Sequence, residues 1–259
     1  MNIAGVNVGK GEPCRIVAEL GNAHNGSLAT AHRLIEESVK AGADFIKFQC
    51  YTPDELIALR GDGKPPKPWH KMTMRDLYAK AETPHSWFPS LVGKCESLGV
   101  PWFSSVFGPD SLALLETLGC PAYKLASLDM EYEAWRRTVH MTGRPVIQSR
   151  PSMPDAIDHL SASLTLWCPK GYPQKSTPSE MTEAMKWADG FSYHGTDVKT
   201  PIYAWTMGAQ LIEVHVQLND EPSELEASVS LNMDQLAELC EAVKPKKAVP
   251  KKRTRKSKK

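Results

Sequence analysis

RIVAELGNAHNGSLATAHRLIEESVKAGADFIKFQ, residues 15–49, carries the pattern that decides the fold. Its two ends, residues 15–20 and 45–49, are short apolar runs of the kind found in buried strands. Residues 28–42 place apolar side chains at helical spacing, with Ser27 just before the helix and Gly42 at its end. A strand, a helix and a second strand in this order predict parallel pairing within one sheet.

The same alternation continues through most of the chain. Further strand-like runs lie at residues 102–106, 122–127, 145–149, 164–168, 190–194 and 211–216, and residues 84–99 and 109–119 have helical patterns. Eight strands that alternate with helices favour a closed α/β barrel, the (β/α)8 or TIM barrel, over an open sheet. We therefore expect residues 1–243 to form one barrel domain, for which a hydrophobic content of 41% is sufficient.

Three segments are expected to lie outside the repeating strand–helix pattern of the barrel. Residues 6–13 predict a short hairpin that covers its bottom. Residues 51–80 and 168–180 are rich in Pro and Lys and predict long loops after strands. In this fold such loops form the rim of the active site.

The charge is divided unevenly along the chain. Residues 244–259 hold ten Lys and Arg and no acid, whereas residues 1–243 hold 21 basic and 30 acidic residues. A Pro-interrupted basic run of this kind predicts a disordered tail over residues 244–259. The tail either contacts nucleic acid or another polyanion, through counterion release, or serves as a solubilising extension.

The sequence contains no membrane-spanning, signal-peptide or CxxC pattern, and this absence underlies the predictions of cellular location and thiol chemistry. No apolar run reaches about 18 residues and no signal-peptide pattern begins the chain, so we expect a cytoplasmic protein without membrane contact. The six cysteines form no CxxC pair, which predicts reduced, buried thiols and argues against zinc binding by cysteine.

Polar side chains gather at the carboxyl ends of at least six predicted strands, where barrels place their functional groups. They are Glu19, Lys47, Gln49, Lys124, Ser127, Ser149, Ser192, His194, Glu213 and His215. Two lysines among serines and a glutamine predict a site for a ligand with phosphate or with phosphate and carboxylate groups. Two histidines on adjacent strands predict a partial site for a divalent metal.

Several motifs along the barrel resemble one family, the N-acetylneuraminate (sialic acid) synthases and their relatives for other nonulosonic acids. They are AELGNAHNGS, AGADFIKFQ, HSWFPSL, FSSVF with LGCPAYKLAS, TGRPVIQS and MGAQLIEVHV, in unbroken order from residue 14 to about 243. The resemblance implies a transferase of carbohydrate biosynthesis. Such an enzyme condenses phosphoenolpyruvate with the aldehyde of an N-acetylhexosamine, usually N-acetylmannosamine, to give a 2-keto-3-deoxy sugar acid and phosphate.

The resemblance also implies roles for particular residues. The phosphoenolpyruvate site would comprise Lys47, Gln49, Lys124, Ser127, Ser149, Lys170 and Ser192. His194 and His215 would bind Mn²⁺ or Mg²⁺, which polarises the sugar aldehyde. Glu19 and Tyr172 would contact the sugar, and the catalytic carboxylates would be Glu19, Glu213 and Glu224.

The chain departs from the family pattern at several positions. Trp167, Lys170, Arg150, Tyr193 and Leu128 replace residues that are usual in the motifs. The family's C-terminal antifreeze-like domain, which supplies a sugar-site arginine in a swapped homodimer, is expected to be absent. A homodimer remains the expected assembly, and the sequence leaves open whether another chain supplies the arginine.

Two other functions are compatible with the sequence. In an aldolase or lyase of the same fold, Lys47 or Lys124 would form a Schiff base. A non-catalytic barrel would act as a scaffold tethered to nucleic acid by its basic tail. His24, in the loop after the first strand, either donates a hydrogen bond at the barrel mouth or braces that loop.

Overall fold

A computed structural model describes residues 1–67, 69–154, 160 and 162–244, and it begins with a hairpin. Strand β1 (Asn2–Ile3) pairs antiparallel with β2 (Val6–Asn7). Ala4 and Gly5 form the turn with φ angles of 45° and 88°, as two-residue hairpin turns require. The hairpin predicted at residues 6–13 is therefore wrong in position, because the turn residues come earlier.

Eight parallel strands form the barrel. They are β3 (Arg15–Glu19), β4 (Phe45–Cys50), β5 (Trp102–Val106), β6 (Tyr123–Leu125), β7 (Val146–Arg150), β8 (Leu164–Trp167), β9 (Gly190–Tyr193) and β10 (Leu211–Gln217). Each strand pairs with the next in chain order, and β10 pairs with both β9 and β3. This last pairing closes the sheet and confirms the predicted (β/α)8 barrel.

Helices follow the strands and cover the outside of the barrel. They are α1 (Leu28–Ala41), α2 (Pro53–Arg60), α3 (Met74–Ala81), α4 (Phe88–Leu98), α5 (Pro109–Thr117), α6 (Glu133–His140), α7 (Pro178–Ala184), α8 (Lys199–Thr206) and α9 (Met233–Val243). The side chain of Ser27 accepts a hydrogen bond from the Thr30 amide, 3.2 Å, and Gly42 ends α1 in the left-handed region. The loop predicted at 51–80 is wrong in part, because it contains α2 and α3.

Side chains alternate between the inside of the barrel and the surrounding helices. Phe48 packs against Phe88 of α4, with ring centroids 5.9 Å apart. Since neighbouring side chains on a strand point to opposite faces, Lys47 and Gln49 point into the barrel. The register pairs Lys47 with Glu19 across β3 and β4. The chemistry predicted for strand ends therefore lies inside the mouth of the barrel.

A short additional strand, β11 (Ser230–Asn232), was not predicted. It pairs in parallel with the last residues of β10, beginning with His215 opposite Ser230. Because β9 pairs with β10 only as far as Val214, β11 continues the pairing beyond the end of β9. The connection from β10 to β11 carries residues 218–229 across the barrel mouth.

The end of the described chain lies close to the predicted domain boundary. Helix α9 ends at Val243, and the basic tail falls on residues 245–259, outside the described residues, apart from Lys244. In the part of the chain that the structure describes, the helices are too short or too polar to cross a bilayer.

Candidate active site at the carboxyl end of the barrel

The first lysine predicted for the site is bound to a network of buried side chains. Lys47 Nζ forms an ion pair with Glu19 Oε2 and donates a hydrogen bond of 2.9 Å to Ser105 Oγ. Glu19 Oε1 accepts hydrogen bonds from Gln49 Nε2, 3.1 Å, and from the Gly21 amide, 2.9 Å. Burial disfavours the charge of Lys47, but Glu19 and Glu213 outweigh it and raise the lysine pKa.

The second lysine lies on the other side of Glu213. Lys124 Nζ donates a hydrogen bond of 2.7 Å to Ser149 Oγ and lies 3.6 Å from Glu213 Oε1. Ser192 Oγ donates to the same oxygen at 3.0 Å. Burial, with the nearby charge of Lys47, lowers the pKa of Lys124 although Glu213 opposes the change.

The ionisation of Glu213 is fixed by its neighbours. Burial disfavours its charge, but Lys124 and Lys47 together lower the pKa of Glu213 to about 2. At neutral pH the site therefore contains a carboxylate between two lysine side chains. All four charged side chains of this group are buried, namely Glu19, Lys47, Lys124 and Glu213.

The two predicted metal ligands face each other beside Tyr172. The ring centroids of His194 and His215 are 5.0 Å apart, and the Tyr172 ring lies 5.0 Å from that of His194. Burial and the neighbouring His215 lower the pKa of His194 to about 3, so its ring is neutral. Burial opposes the charge of His215, but Glu226 outweighs it and raises the pKa of His215.

Glu226 is a site residue that the sequence reasoning missed. Its Oε2 lies 3.2 Å from His215 Nδ1, and its Oε1 accepts a hydrogen bond from the Tyr172 hydroxyl. The backbone N–H of Asn22 donates a hydrogen bond of 3.4 Å to Glu226 Oε2. Burial opposes ionisation, yet His215 and Tyr172 lower the pKa of Glu226 to about 2.

The structure does not bring Glu224 or Lys170 into this cluster. Glu224 lies on the rim, where its carboxylate is 2.7 Å from Lys80 Nζ, with side-chain exposures of 58% and 48%. Lys170 is exposed, between the buried Cys168 and the half-buried Tyr172. Both residues are assigned to the site only by the family resemblance, and the irregular loops that carry them leave both side chains exposed.

Ser127 and Cys168 interact with each other although they follow β6 and β8, which are separated by β7 in the barrel. Ser127 begins a turn of 3-10 helix directly after β6. Burial raises the pKa of the Cys168 thiol, although hydrogen bonding to Ser127 and the charge of Lys124 oppose the change. Ser127 therefore lies near Lys124, as predicted, and Cys168 joins the site unpredicted.

Two departures from the family pattern fall outside the cluster. Ser192 points into the barrel, so Phe191 and Tyr193 point outward by alternation. Trp167 packs on Phe191 with centroids 5.6 Å apart, and Phe191 packs on Tyr193 at 5.7 Å. These replacements therefore alter the outer layer of the barrel.

The loop after β3 is braced by His24. The Gly26 amide donates to His24 Nδ1 at 3.1 Å, which places the ring proton on Nε2, 3.1 Å from Thr83 Oγ1. His24 is 2% exposed and contacts the edge of Trp87. Of the two roles considered for this residue, the structure supports the brace.

A metal would find only two protein ligands in place. Among residues 1–67, 69–154, 160 and 162–244, no three His, Cys, Asp or Glu side chains converge on a preformed metal site. The two imidazoles lie close together, and a divalent metal bound by them, with water or substrate oxygens completing the coordination, stays a prediction.

These features define a (β/α)8 barrel protein with a buried cluster of charged, hydroxyl and imidazole side chains at its mouth. The model of the NeuB family matches residues 34–254, and the chain belongs to this family. Condensation of phosphoenolpyruvate with a sugar is the activity of the family.

Two of the proteins with similar sequences are sugar acid synthases. The pseudaminic acid synthase of Helicobacter pylori is 31% identical over 254 residues, covering 90% of this chain and 74% of that protein. The N-acetylneuraminate-9-phosphate synthase of Homo sapiens is 26% identical over 257 residues, covering 92% and 71%.

A solved structure shares the fold. The N-acetylneuraminic acid (sialic acid) synthetase of Leptospira borgpetersenii superposes with a TM-score of 0.80 at 22% identity. The match covers 94% of this chain and 87% of that chain. At this identity the likeness supports the barrel alone.

Proposed function

We propose that this chain condenses phosphoenolpyruvate with the open-chain aldehyde of an N-acetylhexosamine or related aldose. The products are a 2-keto-3-deoxy sugar acid and inorganic phosphate. C3 of phosphoenolpyruvate forms a bond to the aldehyde carbon, water adds at C2, and the resulting tetrahedral centre expels phosphate. One water is consumed for each phosphate released, and no oxidant or reductant is needed.

The observation that carries this proposal is the pair of buried lysines at the ends of β4 and β6. Lys47 and Lys124 each hydrogen-bond a serine hydroxyl, at 2.9 and 2.7 Å respectively. Two ammonium groups with hydroxyl donors suit a small ligand that carries both a carboxylate and a phosphate. Phosphoenolpyruvate has both groups on a three-carbon frame.

Carboxylates beside the lysines supply the groups for proton transfer. Glu19 is held by Lys47, Gln49 and the Gly21 amide, so its position at the mouth is fixed. In this proposal Glu19 contacts the sugar aldehyde and transfers protons at its oxygen, while Tyr172 contacts the sugar from the opposite loop. Glu213 remains ionised and keeps both lysines in place.

A divalent metal is part of the proposal on grounds of charge. Before any ligand enters, the described site holds three buried carboxylates against two buried ammonium groups: Glu19, Glu213, Glu226, Lys47 and Lys124. An anionic substrate adds uncompensated negative charge to a buried site, which is costly without a further cation. Mn²⁺ or Mg²⁺ held by His194 and His215 would supply that charge and polarise the aldehyde carbonyl.

One observation favours a second candidate, a Schiff-base aldolase or lyase. Burial and the charge of Lys47 lower the pKa of Lys124. A lysine with a lowered pKa is the usual nucleophile in Schiff-base enzymes. The two candidates differ in their products and in their need for a metal.

The decisive experiment measures phosphate release from phosphoenolpyruvate with Mn²⁺ across a panel of aldoses. The panel includes N-acetylmannosamine, its phosphate ester and doubly N-acetylated hexoses, because the named relatives make different sugar acids, one of them a phosphate. We expect release that depends on one aldose and is abolished by a chelator. Absence of both release and phosphoenolpyruvate binding would contradict the proposal.

A parallel borohydride reaction separates the second candidate from the first. A Schiff base between Lys124 and a carbonyl substrate is trapped irreversibly by reduction, with a mass increase on the peptide that contains Lys124. Trapping that persists with chelator would favour the aldolase or lyase. We expect no trapping together with metal-dependent phosphate release.

A further inference from the structure

The two imidazoles of the site face chemically opposite groups at Nδ1. His215 Nδ1 lies 3.2 Å from Glu226 Oε2, and because a carboxylate only accepts hydrogen bonds, this neighbour favours a proton on Nδ1 of His215. This arrangement leaves Nε2 as the atom available to a metal, as in most protein sites with a histidine ligand. His194 Nδ1 instead lies 3.0 Å from Nε2 of Gln174.

The backbone fixes the orientation of the Gln174 amide. Its Oε1 accepts the amide hydrogen of His194 at 3.0 Å, and its Nε2 donates to the carbonyl of Ser192 at 2.9 Å. A flipped amide would put donor against donor and acceptor against acceptor. The nitrogen of Gln174 therefore faces His194 Nδ1.

This orientation determines the tautomer of His194. An amide nitrogen donates hydrogen bonds and has no capacity to accept them, so His194 Nδ1 is the acceptor. With Nδ1 as the acceptor, the imidazole of His194 carries a single ring proton. That proton is on Nε2, the atom that a metal shared with His215 would need.

We propose that Gln174 holds His194 in the Nε2–H tautomer and thereby weakens metal binding at the site. Binding through Nε2 requires the ring proton to move to Nδ1, which breaks the hydrogen bond from Gln174. Gln174 is then a positioning residue that sets the metal affinity. The inference rests on the proposed role of His194 and His215 as metal ligands.

Cys168 offers both groups an alternative partner in the metal-bound arrangement. Its sulfur lies 3.8 Å from His194 Nδ1 and 3.4 Å from Gln174 Nε2. A thiol is a weak acceptor, so it receives an N–H less favourably than the ring nitrogen does. The free-energy difference between the arrangement with the Gln174 hydrogen bond and the arrangement with the Cys168 contact therefore weakens metal binding. This difference is removed when residue 174 no longer donates a hydrogen bond to His194.

The tautomer itself is measurable without any metal. Long-range ¹⁵N–¹H correlation spectra of ¹⁵N-histidine-labelled, metal-free protein distinguish the two neutral forms, and a His194→Gln variant assigns the signals. We expect the Nε2–H pattern for His194 in the wild type and loss of that preference in Gln174→Leu. An Nδ1–H pattern in the wild type would overturn the proposal.

Metal affinity is the second readout, measured as loss of the free Mn²⁺ signal in electron paramagnetic resonance. Gln174→Glu replaces the donor by an acceptor, which favours the Nδ1–H form. We expect it to bind Mn²⁺ about 10-fold or more tightly than the wild type, since partners of metal ligands change affinity by that order. Gln174→Leu introduces a side chain that neither donates nor accepts hydrogen bonds, and we expect this variant also to bind Mn²⁺ more tightly than the wild type. It provides the test if Gln174→Glu does not fold.

Two further variants separate this inference from the proposed function. Gln210→Glu makes the same change in charge just before β10, at the opposite end of the barrel, and leaves affinity unchanged. His215→Ala removes the second ligand. If His215→Ala loses Mn²⁺ binding while Gln174→Glu and Gln174→Leu match the wild type, the inference fails alone. If His215→Ala binds as the wild type does, the proposed metal site fails and this inference fails with it.

Discussion

Lys47 and Lys124 are held by the same carboxylate. Their Nζ atoms lie 3.7 Å from Oε2 and 3.6 Å from Oε1 of Glu213, respectively. Each ammonium group is therefore already compensated before a ligand enters. An anionic substrate does not meet two free cations, but it replaces part of an existing network, and its affinity depends on both lysines together.

The first prediction concerns Lys124→Met. Removing one ammonium group deletes a charge-assisted hydrogen bond to the anion, so we expect phosphoenolpyruvate affinity to fall by about 10- to 100-fold. Isothermal titration calorimetry on folded protein measures the loss. Lys170→Met is the comparison, because Lys170 is exposed on the rim, where solvent screens its charge, and we expect a change of at most about 3-fold. Equal losses in both variants would contradict the placement of the anion site.

The second prediction compares two glutamates of one loop. Glu226 contacts His215 and Tyr172, so Glu226→Gln is expected to lower the rate of phosphate release by about 10- to 100-fold. Glu224 pairs with Lys80 on the surface, and Glu224→Gln should stay within about 3-fold of the wild type. A larger effect at Glu224 than at Glu226 would restore the catalytic role that the family resemblance implies for Glu224.

Much of the fold follows from local patterns. Apolar runs separated by helical segments place the barrel strands, and Gly42 marks a helix end that the structure reproduces. Helix α2 was missed although Thr52-Pro53-Asp54-Glu55 has the form of a capping box, which the structure contains. The high Pro and Lys content of residues 51–80 favours a loop, and the loop prediction gives this content more weight than the capping box.

The site is predictable where strands carry it and unpredictable where loops do. Alternation of side chains along the strands is sufficient to point most of the site residues into the barrel. These residues, on or just after the strands, are Glu19, Lys47, Lys124, Ser149, Ser192, His194, Glu213 and His215. Glu226 lies in the connection to β11, a segment without periodicity. In such a segment nothing in the sequence distinguishes Glu226, whose carboxylate turns into the site, from Glu224, whose carboxylate turns to the surface.

The third prediction concerns pH and His24. Burial lowers the pKa of His24 from 6.5 to about 4, so between these values only the unfolded chain binds the proton. Stability is therefore lost as the pH falls through this range, by about 2 kcal/mol between pH 7 and pH 5 for this group. Urea unfolding at the two pH values should show a smaller difference for His24→Gln than for the wild type. His70→Gln, at an exposed histidine, should keep the wild-type difference, and an unchanged pH dependence in His24→Gln would refute the assignment.

The last prediction returns to the loop after β3, at Gly21. This residue has φ +49°, and a Cβ there would overlap Glu226 Oε2 and lie 3.2 Å from His215 Nδ1. Gly21→Ala should therefore displace the carboxylate from the histidine and lower phosphate release by about 10-fold or more. Gly26→Ala is the matched control, since Gly26 also has a positive φ, +75°, but no described atom lies within 4 Å of its Cβ position. Both variants bear a similar backbone strain of about 1–2 kcal/mol, seen in thermal unfolding. A selective loss of activity in Gly21→Ala would show that this glycine is required by the Glu226–His215 contact, whereas equal activities would show that only backbone conformation requires it.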